Sequence, residues 1–258
     1  MDANEGSIAK KILVVTPYYK EDRSMIEHCI ASVANQTISV DHMLVADGFA
    51  QSWLDQCNVR HVKLDKAHAD YGDVPRGIGA LMGIAENYDA ITFLDADNWY
   101  DPDHIETCIS AWRNAPGSNF IAARRRFVRP DKTIMEGVTP DDVPLGQHID
   151  TNCYFFLPPA FHLLHYWCQI PRQISSHGDA LFKFILQYNL AAPIVSTEKV
   201  TVNYMCMFEG VYIENNEVPP PGAKGYVDWN DCLVWLKTLN EYEYNHVQRL
   251  IGLSISRI

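Results

Sequence analysis

Apolar and polar positions alternate in blocks along the first half of this chain. Lys11 to Thr16 (KILVVT), His42 to Ala46 (HMLVA) and Ala90 to Leu94 (AITFL) are short apolar runs bounded by polar residues. Runs of this kind predict strands buried on both faces of a sheet. Between them the spacing becomes helical. Ile26, Cys29, Ile30 and Val33 fall at i, i+3, i+4 and i+7, and Ser24 with Glu27 has the spacing of a capping box opening that helix. Val59 to Leu64 predicts a further strand, and a glycine-rich helix runs from Arg76 to Tyr88. Asp101-Pro102 predicts the next helix start, with Asp as N-cap and Pro at the first helical position. Ile105, Cys108, Ile109 and Trp112 give that helix its apolar face. The alternation predicts an α/β fold: a Rossmann-like, mostly parallel sheet flanked by helices.

The second half is less regular. Asn119 to Ala123 and Cys153 to Leu157 predict strands, and a helix runs from Asp179 to about Tyr188. The polar span Pro130 to Gly146 predicts a long loop of the kind that serves as a lid or binding loop. Pro219-Pro220-Pro221-Gly222 closes the main body. Beyond it Trp229, Cys232, Leu233 and Leu236 share a helical face, which predicts a C-terminal helical appendage. We therefore divide the chain into a domain at 10–210, with halves at 10–100 and 101–210, and a helical extension at 211–258.

The 258 residues carry a net charge of −11 and one basic run, Arg124-Arg125-Arg126 with Arg129. An acidic surface of this kind argues against a nucleic-acid partner, which needs clustered Lys and Arg. The seven cysteines are scattered without a C-x-x-C pair, as expected of reduced core thiols in a cytoplasmic protein. The polar Met1–Lys11 segment does not read as a signal peptide, and no apolar run is long enough to cross a bilayer; any membrane association is expected to be peripheral.

The candidate chemistry starts at Asp95-Ala96-Asp97. On an extended chain, residues i and i+2 point the same way, so both carboxylates face one spot at the C-terminal mouth of the sheet. Two carboxylates there suit Mg²⁺ or Mn²⁺, which take oxygen ligands and leave positions for phosphate oxygens. The predicted strand ends at Thr16-Pro17-Tyr18 and Asp47-Gly48 converge on the same rim.

With these motifs in this order, VVTPYYKED…SVANQT, VADGFA and LDADNWYDPDHI, the sequence resembles the family 2 glycosyltransferases of GT-A fold over roughly residues 10 to 205. The resemblance implies a nucleotide-sugar-binding half and an acceptor-binding half, and inverting transfer from a UDP-sugar donor with Mn²⁺ or Mg²⁺. Thr16, Pro17 and Tyr18 match the loop that borders the nucleobase. Asp47 matches the acid on the uracil N–H, where the family often has two acids and this chain has Ala46 first. Asp95 matches the ribose or metal contact, Asp97 the metal ligand, and Arg76 falls in a segment that often carries a basic residue near the donor. Ser175-Ser176-His177-Gly178-Asp179-Ala180-Leu181-Phe182 resembles the segment whose aspartate deprotonates the acceptor, which makes Asp179 the candidate base and His177 its rival. Asp150, Trp99 and His177 are candidates for contacts to acceptor or sugar. A third metal ligand, often a late histidine in such enzymes, has His148, His162, His165 and His177 as candidates. The implied acceptor is a glycan, a lipid-linked sugar or a small molecule. Two alternatives stand beside this reading. Nucleotidyl transfer onto a sugar phosphate would need a G-x-G-x-R loop where this chain has Pro17-Tyr18-Tyr19-Lys20. A sugar-nucleotide-binding protein without catalysis would not need Asp95, Asp97 and Asp179 together.

Overall fold

A computed structural model of the chain describes residues 11–138, 148–225 and 228–251. Its first half follows the predicted alternation: β1 (Ile12–Tyr18), α1 (Arg23–Ala34), β2 (Asp41–Asp47), β3 (Arg60–Leu64), α2 (Asp73–Ala85) and β4 (Ala90–Phe93). Strands β3, β2, β1 and β4 lie side by side and all parallel. The apolar runs of β1 and β4 are buried throughout, as a sheet covered on both faces requires. Helix α2 approaches the sheet closely because its inner face is glycine. A Cβ on Gly79 would lie 2.5 Å from Val15 Cγ1, and one on Gly83 would lie 2.7 Å from Leu13 Cδ2.

The second half adds β5 (Trp99–Tyr100), α3 (His104–Asn114), β6 (Phe120–Val128), β7 (Tyr154–Phe156), α4 (Gly178–Asn189) and β8 (Val195–Met205). The full sheet order is β3-β2-β1-β4-β7-β6-β8-β5, with β7 antiparallel to both β4 and β6. Strand β5 follows β4 after five residues yet pairs with β8 at the opposite edge. So short a link spans at most about 20 Å, so the sheet must curl. Tyr100 Oη shows that it does: it donates to the Phe93 carbonyl at 2.5 Å and lies 3.2 Å from Thr92 Oγ1.

The C-terminal part forms α5 (Glu209–Glu214), α6 (Trp229–Thr238) and α7 (Glu241–Ile251). Cys232, Leu236, Val247 and Ile251 are buried in the same apolar core as the sheet, packed against the 3₁₀ stretches Pro158–Gln169 and Arg172–His177. All seven cysteines are free thiols, five of them buried. No helix among the described residues is long and apolar enough to cross a membrane.

Several local expectations need correction. The Ser24–Glu27 capping box does not form. Helix α1 starts at Arg23 with Asp22 as N-cap, and Glu27 instead pairs with Arg23 one turn back. Helix α2 starts three residues earlier than predicted, at Asp73, and α3 starts at His104. Asp101 is drawn away from the cap because its carboxylate receives Arg126 and Asn203. The basic run continues β6 rather than ending it. Within it Arg125 points inward and is buried, while Arg124 and Arg126 are half-exposed. Of the predicted loop at Pro130 to Gly146, residues 139–146 lie outside the described residues; Pro130 to Val138 begins with a turn that pairs Ile134 back onto Val128.

The Gly79 contact sets an expectation. Gly79→Val should lower stability by about 1–3 kcal/mol through overpacking against Val15 and Val45. Urea unfolding should show a lower midpoint with an unchanged slope.

Candidate active site

The C-terminal ends of β1, β2 and β4 form one rim, with Tyr18, Asp47 and the Asp95–Asp97 turn on it. The Thr16 hydroxyl is buried against His42 Nε2 at 2.8 Å, so its side chain faces the α1 layer rather than the rim. Pro17 packs beside Gly72, where an added Cβ would sit 3.1 Å from Pro17 Cγ. Tyr18 is buried too; its hydroxyl lies 2.7 Å from His61 Nε2 and accepts the Gln51 N–H at 3.0 Å. Asp47 accepts the backbone N–H groups of His68 and Ala69 at 2.8 and 2.9 Å, and its Oδ1 lies 2.9 Å from His68 Nδ1. It therefore ties the loop before α2 to the end of β2. That loop is strained: Ala69 and Tyr71 hold φ of 52° and 56° before Gly72 at 85°.

Asp95 and Asp97 lie just beyond β4, in a turn closed by the Asn98 N–H to the Asp95 carbonyl at 3.0 Å. A turn, and not strand alternation, therefore places them. Asp95 is clamped from two sides. Arg76 Nη2 donates to its Oδ1 at 2.8 Å, and Asn152 Nδ2 donates to its Oδ2 at 2.9 Å. Asn152 Oδ1 in turn accepts the Asp95 N–H at 2.5 Å. Burial still pushes the Asp95 carboxyl above its ordinary range, with the Asp150 charge adding to it and Arg76 only partly offsetting it.

Asn152 is fully buried and extends the network. Its Nδ2 also donates to Asp150 Oδ1 at 2.7 Å, and its N–H donates to the same oxygen at 2.9 Å. Arg125 Nη1 neutralises the other Asp150 oxygen at 2.6 Å and lies over the Phe127 and Tyr204 rings. The ligand atoms of His148, Asp150 and Asp179 lie within 4.8 Å of one another. His148 Nε2 is 3.1 Å from Asp179 Oδ2, and the Ala180 N–H donates to Asp179 Oδ1 at 2.7 Å. Arg76, Asp95, Asn152, Asp150 and Arg125 thus form one hydrogen-bonded network, and the His148–Asp179 pair lies beside its Asp150 end.

The two sides of that arrangement differ electrostatically. Burial alone would raise the Asp179 carboxyl, but the His148 hydrogen bond and charge, the Ala180 N–H and Arg125 together hold it below its ordinary range. Burial would lower His148, and the Asp179 hydrogen bond and charge outweigh that and raise it. Asp97 has no such compensation. Burial first, then the charges of Asp95 and Glu21, push it to about 7. Asp97, whose buried carboxyl is destabilised as an anion and has no basic partner among the described residues, fits a divalent cation better than the carboxylates of the His148 cluster. In that cluster Asp150 and Asp179 already have cationic partners.

Trp99 and His177 stand apart from this network. Trp99 packs edge-on against His28 of α1 at 4.8 Å, and His177 packs edge-on against Trp229 of α6 at 4.9 Å. His162 and His165 are on the exterior, each bonded to a carbonyl of its own 3₁₀ stretch. Three arginines of the basic run are neutralised, Arg125 by Asp150, Arg126 by Asp101 and Arg129 by Glu217, while Arg124 donates to the Glu198 carbonyl. Sequence reasoning missed Asn152 and Arg125. The signal for Arg125 was its period-2 position in a strand, and for Asn152 its place directly before the apolar Cys153–Leu157 run.

A rim of carboxylates beside a further aspartate at a helix start, on a curled α/β sheet, is the layout of a GT-A glycosyltransferase. The model of the family described as "Glycosyl transferase family 2" matches residues 13–169, more than half of the chain, and the protein belongs to that family. No curated protein matches the chain at a significant level. Among solved structures it resembles S. aureus TarS 1-349 in complex with UDP-GlcNAc, with a TM-score of 0.62, 14% identity, and coverage of 93% of this chain and 70% of that one. The same TarS fragment in complex with UDP matches with a TM-score of 0.58, 14% identity, and coverage of 93% and 69%. A further TarS structure, at TM-score 0.55 and 13% identity, is covered over 42% of its length and 93% of this chain. This likeness establishes the fold.

Two outcomes follow from the network. Asn152→Leu should cost about 1–3 kcal/mol for each carboxylate deprived of its donor, read by urea unfolding. Asp179→Asn should return His148 to its ordinary value or below, followed by NMR titration. The sign is that of a histidine raised by its partner. The stabilisation from the His148–Asp179 pair is complete below the ordinary histidine pKa and is lost as pH rises through the folded one. Wild-type stability should therefore fall over that alkaline window, and the variant's should not.

Proposed function

We propose that this protein transfers a sugar from a UDP-sugar to a hydroxyl acceptor by a single inverting displacement, with Asp179 as general base and Mn²⁺ or Mg²⁺ held by Asp97 and Asp95. The observation that carries the reading is the buried chain linking Asp95 through Asn152 and Asp150 to the vicinity of Asp179. It sets the donor-side carboxylates and the base in one rigid frame.

Asp179 remains ionised at neutral pH and can accept the acceptor's proton as its oxygen attacks the anomeric carbon and the bond to the diphosphate breaks. The bound cation supplies charge neutralisation for the leaving diphosphate. Arg76 adds fixed positive charge beside Asp95. The uridine preference is supported by Asp47. A carboxylate has about four acceptor sites, and hydrogen bonds from His68 and Ala69 leave room for one more N–H, such as that of uracil. UDP and UDP-GlcNAc in the TarS structures of the same fold support the same donor class. Acceptor classes consistent with the family are a glycan, a lipid-linked sugar or a small molecule.

Calorimetric titration of UDP, with GDP as control, tests the reading. UDP should bind with Mn²⁺ present, and binding should be lost with EDTA or in Asp97→Ala. An unchanged UDP affinity in that variant would remove Asp97 from the metal site. Because a metal must displace the proton from Asp97, Mn²⁺ affinity should climb as pH rises towards about 7 and flatten above it. Asp179→Asn should cut sugar transfer by about 10²–10⁴-fold with UDP affinity intact. Wild-type-like turnover in Asp179→Asn would displace it as the base.

A further inference from the structure

Asp73, the first residue of α2, has no part in the chemistry above. It is buried; its Oδ1 accepts Arg76 Nη1 at 3.2 Å, and its Oδ2 has no hydrogen-bond partner. Its placement is explained by what it faces. Both carboxylate oxygens lie 2.6 Å from the point where a Cβ on Gly178 would sit. Gly178 has φ −54° and ψ −45°, ordinary helical values that any residue adopts. Backbone conformation therefore does not call for glycine there; room for the Asp73 carboxylate does.

Gly178 opens α4, and Asp179 is the next residue. Tyr154 holds this first turn from the sheet side, donating to the Asp179 carbonyl at 3.0 Å. On the other side the Asp73 carboxyl packs against that turn at Gly178 and accepts from Arg76, which also donates to Asp95. We propose that Asp73 is a positioning residue: it seats the first turn of α4 against Arg76 and so sets where the Asp179 carboxylate stands relative to Asp95. This rests on the reading of Asp179 as the base.

His148 reports on Asp179 without any substrate, because the two are hydrogen-bonded. The test is an NMR titration of His148 in the full chain for wild type, Gly178→Ala, Asp73→Asn, Asp73→Ala/Gly178→Ala and Asp179→Asn. UDP binding and UDP release from UDP-GlcNAc would be measured beside it. Gly178→Ala and Asp73→Asn should move His148 towards the value seen in Asp179→Asn. They should cut turnover roughly ten- to a hundred-fold with UDP affinity nearly unchanged, the signature of a displaced reacting group. The double variant should recover part of both losses relative to Gly178→Ala, since truncating Asp73 makes room for the methyl group. An unmoved His148 in both single variants would overturn the proposal. So would parallel loss of UDP affinity and turnover with no recovery in the double variant, which would mark a merely structural contact. Asp179→Asn separates the two readings. Wild-type turnover there, with His148 still moved by Gly178→Ala, removes the base role and leaves the positioning. An inactive Asp179→Asn with a silent Gly178→Ala removes the positioning alone.

Discussion

Asp95 carries a negative charge into a partly enclosed turn at the mouth of the sheet, and much of the surrounding structure answers that charge. A carboxylate with too few partners in such a place costs several kcal/mol. Arg76 meets it from α2 and Asn152 from the segment before β7. Each partner imposes its own demand. Arg76 is buried, needs a second carboxylate, which Asp73 provides, and lies over the Trp167 ring. Asn152 is fully buried and divides its donors between Asp95 and Asp150, which brings in Arg125 from β6. Elements distant in the chain are thus held in register by one charge.

The same network separates two carboxylates of opposite character on one rim. Asp179 is supplied with a histidine, a helix N–H and a nearby guanidinium, so its anion is favoured. Asp97 is buried among other acids, so its anion is disfavoured. Differences in environment, rather than in residue type, favour the anion of one aspartate and disfavour that of the other. The curl of the sheet makes this economical in space. It folds β5 back over β4, so that the turn between them carries both Asp95 and Asp97 into the concave side.

Much of the fold was legible in the residue pattern. The strands of the first half were predicted close to where they lie, because buried parallel strands are continuous apolar runs, and β7 was visible for the same reason. Helix starts were read less well. Ser24 and Asp101 have capping chemistry, but in the folded chain Asp22 occupies the cap position of α1, and Asp101 is drawn to Arg126 and Asn203. The long strand β8 and the extension of β6 through three arginines did not read as strands. Arg125 and Arg126 are satisfied by partners far along the chain, Asp150 for the first and Asp101 and Asn203 for the second. In the site, Asp95, Asp97 and Asp179 were recognisable by motif. Asn152, Arg125 and Asp73 were not, since none belongs to a motif and each matters through what it touches.

The sequence by itself determined the order of elements, the family, and the carboxylates brought to the rim, because periodicity and strand-end motifs are local properties of a chain. Only the tertiary structure decided which of those carboxylates are neutralised and which has no basic partner among the described residues. It also decided which histidine meets Asp179: His148 does, while His177 turns to Trp229. The reason is that charge compensation is a matter of separations of a few ångströms. Those separations join residues such as Asp95 and Asn152, which lie 57 positions apart in the chain and meet only when the sheet has formed and curled.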